Sequence, residues 1–412
     1  SYVHIKHKSG LDIYVWKMEG FSTKHAYFAT KYGSINTHFK TKNTEGCVDV
    51  PEGIAHFLEH KLFENEDCDV FELYAKTGAS GNAYTSFDHT CYLFECSDNF
   101  EESLAILLSF VQKPHFTPES VAKEQGIIGQ EIKMCEDNPD RQVFYNMLKA
   151  LYVNHPIKID IAGTVESIAQ IDDKLLYECY NTFYNLHNMV LSIAGDVDVD
   201  KILEICDREL IECEDNQLET FFPEEPLEVC QKEIYQKLPV GIPIFSIGFK
   251  AKPYDVKELS KVSMVASIML SAAFGSASDF YKKLLDEQLI NSSFGSSVFY
   301  GEGYCTTYFA GDSQQPKVVY QRILDEIERI KVEGIDRKQF EIIKKGLYGR
   351  IIREYNSVEQ NTNKMMAAHF CGGDDAFAVV EILAGITYED VMNSVFELLN
   401  PEYSVISVID NK

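Results

Sequence analysis

The segment His56-Phe57-Leu58-Glu59-His60 combines two imidazoles and a carboxylate at a spacing that suits metal chemistry. The surrounding apolar periodicity predicts a helix over 52–63, on which His56 and His60 share one face, one turn apart. Two imidazoles in that arrangement can bind one tetrahedral Zn²⁺, and Glu59 can reach water there without binding the metal itself. The order His-x-x-Glu-His therefore predicts a zinc site for hydrolysis. The alternative is an amphipathic helix with two histidines on its exposed face.

A catalytic zinc ion needs a third protein ligand and leaves its fourth position open for water. A second helix is predicted over 118–135. Glu124 and Glu131 lie seven residues apart on one of its faces, beside Ile127 and Ile128. Carboxylates beside an apolar pair on a helix that packs inward indicate a cation nearby, although a solvated helix face is the alternative for both. The spacing leaves other ligands open, namely Glu64, Asp67, His89 and Glu136.

The strands and helices that must position these side chains are predicted in the same order in both halves of the chain. Each half begins with two strands, continues through helices, a strand hairpin and long helices, and closes with a strand. The hairpins are predicted at 82–86 with 90–95, and at 293–300 with 304–310. This repeated order predicts an α+β fold of two homologous domains, each a mostly antiparallel sheet packed against several helices.

The domain boundaries follow from a change in composition between the halves. Residues 212–230 are rich in Glu, Asp and Pro and have little apolar periodicity, which is typical of a linker. We therefore expect a zinc-binding domain at 1–211 that carries the His-x-x-Glu-His segment, and an acidic linker at 212–230. A homologous domain without a zinc motif is expected at 231–412.

Composition excludes several classes of protein. With 412 residues the chain exceeds what a single core usually holds. Its 38 Lys and Arg against 64 Asp and Glu give a net charge of −26, which disfavours nucleic acid and anionic membranes as partners. An odd count of 11 cysteines, without a Cys-x-x-Cys pair, is typical of reduced thiols. No apolar run reaches the roughly 18 residues of a membrane span, and the first residues lack the apolar core of a signal peptide, so we expect a cytoplasmic protein.

Several segments of the first half resemble the pitrilysin/insulysin/mitochondrial-processing-peptidase family of zinc peptidases. The likeness begins at 53–63, which resembles the family's active-site helix, and further segments follow in the family's order. They are Gly78-Ala79-Ser80-Gly81-Asn82-Ala83-Tyr84-Thr85-Ser86 followed by Asp88-His89-Thr90 and Tyr92, Glu124 with Glu131-Ile132, His155-Pro156 with Gly163-Thr164, and Asn188-Met189 with Gly195-Asp196-Val197-Asp198. The chain is most similar to short bacterial members made of two homologous domains, and its second half resembles the family less specifically.

The resemblance implies a role for each matched side chain near the metal. His56, His60 and Glu131 match the zinc ligands, with one Zn²⁺ per chain, and Glu59 matches the general base that activates the attacking water. Glu124 matches a carboxylate that supports the site, and a hydrogen bond to a ligating histidine would be its physical task.

The resemblance also implies how a substrate binds. Asn82, Ala83 and Thr85 match an edge strand to which the family adds an extended peptide through main-chain hydrogen bonds, although an ordinary hairpin arm remains compatible with these residues. Two such chains of the family usually close around a chamber, each forming half of a clamshell, and folded proteins are excluded. We therefore expect a zinc-dependent endopeptidase that hydrolyses unfolded peptides as one subunit of a dimer.

One part of the family pattern is missing. The family usually completes its site from the second domain with an Arg and a Tyr seven residues apart, and Leu284 and Asn291 align with those positions here. A heterodimer in which a zinc-less homologue supplies the Arg and the Tyr accounts for this difference. The alternative is a homodimer in which Lys282, Lys283 or Tyr300 serves instead.

A different class of function is a non-catalytic subunit that binds peptides or scaffolds a peptidase complex. The intact set of Glu59 and three expected ligands argues against it, because a subunit without catalysis does not need Glu59. A purely structural zinc ion is also disfavoured, since structural sites are typically closed by four ligands that are mostly Cys. The two predicted ligand helices contain one cysteine, Cys135.

Overall fold

The computed structural model describes residues 2–64, 69–372 and 376–411. Asp67, one of the candidate ligands, lies outside these residues. The chain divides into two compact units, and each unit is made of three separate segments. Unit 1 is formed by Ser1–Ile132, Asp160–Phe221 and Arg353–Ala376, and unit 2 by Lys133–Ile159, Phe222–Ile352 and Phe377–Lys412. The domains expected at 1–211 and 231–412 are continuous stretches of the chain, and their boundaries stay a prediction.

The first half of the chain combines strands with the helices that cover them. Tyr, Val, Ile, Phe and Thr recur in the strands, and Leu, Glu and Lys recur in the helices, as their intrinsic preferences favour. In chain order the elements are β1 (Val3–Lys6), β2 (Asp12–Lys17), β3 (Lys24–Thr30), β4 (His38–Lys40), β5 (Val48–Asp49), α1 (Ile54–Leu62), α2 (Val70–Thr77), β6 (Ser80–Thr85), β7 (Thr90–Cys96), α3 (Phe100–Val111), α4 (Pro118–Glu136), α5 (Pro139–Leu151), α6 (Val165–Ile168), α7 (Asp173–Phe183), β8 (Met189–Gly195), α8 (Val199–Glu209) and β9 (Glu219–Thr220).

The second half repeats much of this order with its own strands and helices. Its elements are β10 (Glu233–Lys237), β11 (Ile244–Lys250), α9 (Leu259–Phe274), α10 (Asp279–Asp286), β12 (Gly295–Gly301), β13 (Tyr304–Asp312), α11 (Pro316–Glu333), α12 (Arg337–Glu354), α13 (Val358–Phe370), α14 (Ala378–Gly385), α15 (Tyr388–Leu398) and β14 (Ser404–Asp410). No single helix of the described residues has the length and hydropathy of a membrane span, although the bent pair Val256–Phe274 and Asp279–Asp286 meets that criterion when its two parts are taken together.

Each unit is built on a mostly antiparallel sheet, and the two sheets share one strand order. In unit 1 the order is β1-β2-β8-β3-β7-β6, and β2 and β8 are parallel neighbours. In unit 2 the order is β10-β14-β11-β13-β12, and again one pair, β10 with β14, is parallel. The strands β2, β8, β3, β7 and β6 thus correspond to β10, β14, β11, β13 and β12. This correspondence confirms the predicted α+β fold of two homologous domains.

Each unit contains one helix from the other half of the chain. In unit 2, α5 packs against β11 and β14, and in unit 1, α13 packs against β8, β3 and β2. A Cβ atom on Gly248 of β11 would lie within 2.9 Å of side-chain atoms of Met147 and Leu151 on α5, so this close packing requires glycine. The apolar periodicity of a helix carries no information on which sheet the helix covers. The sequence therefore does not indicate that α5 packs in unit 2 and α13 in unit 1.

The acidic segment 212–230 is ordered by contacts rather than by periodicity. Its strand β9 joins β4 and β5 in a small three-stranded sheet. Further along, the buried side-chain carboxylate of Glu225 lies 2.5 Å from the buried Nζ of Lys250. It also accepts three backbone hydrogen bonds of 2.7 to 2.9 Å, from the N–H groups of Val153, Asn154 and His155. The second part of the segment is therefore anchored at Glu225.

Candidate metal centre

Helix α1 presents the two predicted histidine ligands on one face. Phe57 and Leu58 are fully buried in the core of unit 1, which fixes the rotation of the helix. His56 is 9% exposed, His60 is partly buried, and their ring centroids lie 4.5 Å apart. The helix follows Gly53, whose φ of +88° is in the left-handed region, and a Cβ atom there would lie 2.4 Å from a backbone carbonyl oxygen.

Helix α4 brings Glu131 to the two histidines. Its Oε1 lies 3.6 Å from Nε2 of His56, and its Oε2 lies 3.5 Å from Nε2 of His60. Ligand atoms around a tetrahedral zinc ion with bonds of about 2.0–2.1 Å are about 3.4 Å apart, so these distances fit one ion. Two His and one Glu are also a ligand set of open catalytic zinc sites. Within the described ranges, these three residues are the one group of His, Cys, Asp or Glu with the spacing to hold a metal.

Glu124, also on α4, contacts His60. Burial alone would raise the pKa of Glu124, but the hydrogen bond to His60 and the nearby positive charges of His60, Lys61 and Lys123 outweigh it and lower the pKa. The ionised carboxylate is an acceptor only, and its Oε1 lies 2.9 Å from Nδ1 of His60. Nδ1 therefore donates, and Nε2 keeps the lone pair that a metal requires. For His60, burial lowers the pKa, but this bond and three neighbouring carboxylates outweigh burial and raise it.

Glu59 lies beside the metal group and is held by Thr85 at the end of β6. The hydroxyl of Thr85 donates to Oε2 of Glu59 at 2.8 Å. Burial raises the pKa of Glu59, and the charge of Glu131 adds to the rise, whereas the hydrogen bond from Thr85 and the charge of His60 oppose it. A carboxylate with a raised pKa is suited to accept a proton from water and to return it. Because 26 residues separate Thr85 from Glu59, no local sequence pattern indicates this contact.

Strand β6 forms one edge of the sheet in unit 1 and packs next to α1. It spans Ser80–Thr85 rather than the predicted 82–86, because its pairing with β7 already begins at its first residue. The N–H of Ala83 donates to Oδ1 of the exposed Asn82 at 2.9 Å. That N–H is therefore directed along the strand's outer edge, where a further strand can add.

The remaining candidate ligands contact other residues. Glu64 contacts the fully buried ammonium of Lys61. His89 lies 2.7 Å from the carboxylate of Asp88, through its Nδ1. Glu136 is exposed at the last position of α4. None of these three candidates belongs to the group formed by His56, His60 and Glu131.

The second half offers no Arg and Tyr pair at the aligned positions. Leu284 of α10 is 1% exposed and lies in the interior of unit 2. Asn291 donates a hydrogen bond of 3.3 Å from its amide to Asp312. Of the alternative groups, Lys282 is exposed and lies 3.7 Å from Asp279. Neither Leu284 nor Asn291 therefore supplies a charged or phenolic hydrogen-bond donor.

The fold and the His and Glu group define the class of the chain, which belongs to peptidase family M16. The family profile described as Insulinase (Peptidase family M16) matches residues 49–165, which include both histidines of α1 and the glutamates of α4. A second profile, described as Peptidase M16 inactive domain, matches residues 170–347. These matches confirm the resemblance to the pitrilysin and insulysin family.

Individual relatives cover the chain almost completely. A protein of Bacillus subtilis (strain 168) named as an uncharacterized zinc protease, YmfH, is 39% identical over 409 residues, which cover 96% of this chain and 93% of the relative. The crystal structure of an M16-like peptidase from Alicyclobacillus acidocaldarius has a TM-score of 0.95 at 35% identity, with 99% and 98% of the two chains covered. The periplasmic protease PqqL from Escherichia coli shares the fold, with a TM-score of 0.74 at 15% identity. The match covers 100% of this chain and 48% of PqqL, so this fold corresponds to about half of that longer chain.

Proposed function

We propose that this chain is the zinc-bearing subunit of a dimeric endopeptidase that hydrolyses unfolded peptides. The proposal rests above all on the distances of 3.6 and 3.5 Å that join Glu131 to His56 and His60, with Glu59 beside them. These three ligands would hold one Zn²⁺ per chain. When bound, the ion would supply a Lewis acid that polarises the attacking water and the scissile carbonyl.

The side chains around the metal group handle the protons. Glu59 takes a proton from the attacking water and delivers it to the leaving amine. Thr85 holds the carboxylate of Glu59 in place through its hydrogen bond of 2.8 Å. Glu124 keeps the ring of His60 oriented through the bond to Nδ1. Each of these contacts orders a group before the substrate arrives, which is the main contribution that a protein makes to such a site.

The peptide binds in an extended form beside β6. Its main chain pairs with the strand's outer edge at Asn82 and Ala83, and the side chain of Asn82 turns away to release the N–H of Ala83. Thr85, which the resemblance assigns to substrate binding, acts here through Glu59. An unfolded peptide can take up this extended form without losing contacts of its own, so unfolded peptides are the proposed substrate class.

The dimer is proposed from what the second half of the chain does not offer. Leu284 is buried and apolar, and the amide of Asn291 bonds to Asp312, so neither side chain supplies a charged or phenolic donor. A zinc-less homologue that carries an Arg and a Tyr at these positions would complete the site. The homodimer with Lys282, Lys283 or Tyr300 is the outcome that a fully active isolated chain would favour.

Metal analysis of matched glutamine variants tests the proposed ligands. Glu131→Gln removes the third ligand, whereas Glu136→Gln changes an exposed glutamate of the same helix. We expect the wild type and Glu136→Gln to retain one zinc ion per chain after dialysis, and Glu131→Gln to lose it, as measured by mass spectrometry of the metal. Equal zinc contents in the two variants would contradict the assignment of Glu131. Zinc without any hydrolysis, even with a partner present, would favour a non-catalytic peptide-binding subunit.

A further inference from the structure

Helix α12 is strongly basic, although the chain carries a net charge of −26. It contains six cationic residues against two acidic ones, Glu341 and Glu354. The cations are Arg337, Lys338, Lys344, Lys345, Arg350 and Arg353. The contacts of each cation show whether its charge stabilises the fold.

Two of the six cations have a contact within unit 2. The guanidinium of Arg337 lies 4.1 Å above the ring of Tyr388. The ammonium of Lys344 donates to the carbonyl oxygens of Ala384 and Ile386, at 3.0 and 2.6 Å. These contacts join α12 to the neighbouring helices α14 and α15, and they account for Arg337 and Lys344.

The other four cations are exposed and have no ion pair with any residue that the structure describes. They are Lys338, Lys345, Arg350 and Arg353. Other arginines of the chain do contact a carboxylate or an aromatic ring, for example Arg322 with Glu287 at 2.6 Å and Arg329 with Glu326 at 2.7 Å. Although Glu341 lies between Lys338 and Lys345 in the sequence, the four cations form no ion pair with the described residues and can bind an anionic group from outside the chain.

Apolar side chains and bare backbone lie between these cations. Ile342 and Ile352 are 51% and 41% exposed. At Gly346 and Gly349, no atom of the described residues other than those of the adjacent residues and the backbone of the same helix lies within 4 Å of where a Cβ would be. Glycine in a helix interior costs about 1 kcal/mol relative to alanine, and alanine would fit here, so packing within the chain does not explain either glycine. An exposed glycine does allow another backbone to approach the helix closely.

The basic face of α12 is defined by Lys338, Ile342, Lys345 and Gly349, which all belong to unit 2. The spacings of four, three and four residues place them on one side of the helix, opposite the buried Phe340, Leu347 and Ile351. This side therefore presents alternating cationic and apolar groups around an open glycine.

The duplicated fold provides a comparison with α4. Both helices contain two glycines three residues apart, Gly126 and Gly129 in α4 and Gly346 and Gly349 in α12. When the glycines are aligned, the pair Glu-Gln that precedes them in α4 corresponds to Lys-Lys in α12. The pair Gln-Glu that follows them in α4 corresponds to Arg-Ile in α12. In the helix that corresponds to α4, the position of Glu124 is thus Lys344, and the position of Glu131 is the buried Ile351.

We propose that the basic face of α12 binds an acidic polypeptide segment that also carries apolar side chains. The two lysines pair with carboxylates, Ile342 takes apolar side chains, and Gly349 lets the bound backbone approach. The distant acidic surface of the chain is screened over about 8 Å at physiological salt, so a short acidic segment experiences chiefly the local cations. The proposal concerns binding alone, and it holds or fails independently of the proposed hydrolysis.

Peptide binding by charge-reversal variants tests the proposal. The probes are three fluorescent peptides of twelve residues in which Leu alternates with Glu, Gln or Lys. The proteins are the full chain with Glu59→Gln, which prevents cleavage, and the same chain with Lys338→Glu and Lys345→Glu. Binding is measured by fluorescence anisotropy. We expect the Glu–Leu peptide to bind the Glu59→Gln chain more tightly than the Gln–Leu peptide does. We also expect the Glu–Leu peptide to bind the charge-reversed chain at least tenfold more weakly than it binds the Glu59→Gln chain.

A second pair of exposed lysines controls for net charge. Lys113→Glu with Lys174→Glu makes the same change in charge on unit 1 and should alter binding of the Glu–Leu peptide less than twofold. Equal losses in the two double variants would overturn the proposal, and so would preference for the Lys–Leu peptide, which the net charge alone favours. Gly349→Ala should leave the melting temperature unchanged or higher and weaken binding. A changed oligomeric state with unchanged peptide affinity, measured by sedimentation, would instead identify an interface between copies and overturn the proposal.

Discussion

Thr85 and Glu59 form the contact on which the proposed proton transfer most depends. In Thr85→Val the hydrogen bond to Glu59 is lost, and the pKa of Glu59 rises further above its usual range. A general base must be ionised to act, so we expect the acidic limb of the pH profile of kcat/KM to move to higher pH. Loss of a hydrogen bond to a charged group, about 1.5–3 kcal/mol, implies an activity lower by about tenfold or more at neutral pH.

Thr85→Ser is the matched control, because serine keeps the hydroxyl. We expect it to retain the pH profile of the wild type and most of its rate. Zinc content should be the same in all three proteins, since Thr85 contacts Glu59 rather than a ligand. A pH profile that does not move in Thr85→Val would show that the hydrogen bond has no part in setting the state of Glu59.

At the residue scale, the sequence predicts contacts made by one helix better than contacts between elements. His56, Glu59 and His60 lie on one helical turn, so the 3.6-residue period alone brings them together. Glu131 is one of several open candidates by spacing, and only the packing of α4 places it 3.6 Å from His56. The hydrogen bond from Thr85 to Glu59 depends on how β6 packs against α1, which sequence periodicity does not predict.

At the scale of elements, the buried ion pair of Glu225 and Lys250, which anchors the acidic segment, is expected to be sensitive to substitution. Burial raises the pKa of Glu225, but Lys250 and three backbone N–H groups outweigh it and lower the pKa. A lowered pKa stabilises the fold at neutral pH, and this stability is lost as the pH falls through the folded-state pKa. Glu225→Gln leaves the buried ammonium of Lys250 without its carboxylate, and we expect a loss of about 3 kcal/mol or more in urea denaturation.

The neighbouring Glu224→Gln is the control for this variant. Glu224 is exposed, so we expect its substitution to change the free energy of unfolding by less than about 0.5 kcal/mol. The difference between Glu225→Gln and the wild type should shrink in acid, as the wild-type carboxylate becomes protonated. A difference of equal size at neutral and strongly acidic pH would contradict the electrostatic origin of the anchor.

Element boundaries show what periodicity can predict. The helix predicted at 52–63 is α1, Ile54–Leu62, and the helix predicted at 118–135 is α4, Pro118–Glu136. The segment 212–230 is predicted to be an acidic linker, and the structure adds that it contains β9, whose pairing with β4 depends on residues far away in the sequence. The packing of α5 and α13 on sheets formed mainly by the other half of the chain is also not predictable, because these contacts join residues far apart in the sequence.

At the scale of the whole molecule, the missing Arg and Tyr determine the expected behaviour of the isolated chain. We expect the purified chain to bind zinc but to hydrolyse an unfolded peptide weakly. Addition of a zinc-less homologue with an Arg and a Tyr at the positions of Leu284 and Asn291 should raise kcat by about a hundredfold, since charge stabilisation of this kind is typically worth that much. The measurement is peptide hydrolysis by each chain alone and by the mixture. Full activity of the isolated chain would contradict the heterodimer.

Whether Glu59 works as the base of a zinc peptidase is decided by the variant Glu59→Gln. Zinc content and peptide hydrolysis should be measured on the same preparations of wild type and variant, with the partner homologue present. We expect one zinc ion per chain in both proteins and a loss of hydrolysis of about a thousandfold in the variant, within the usual range for general bases. Hydrolysis at the wild-type rate by zinc-loaded Glu59→Gln would contradict this role of Glu59.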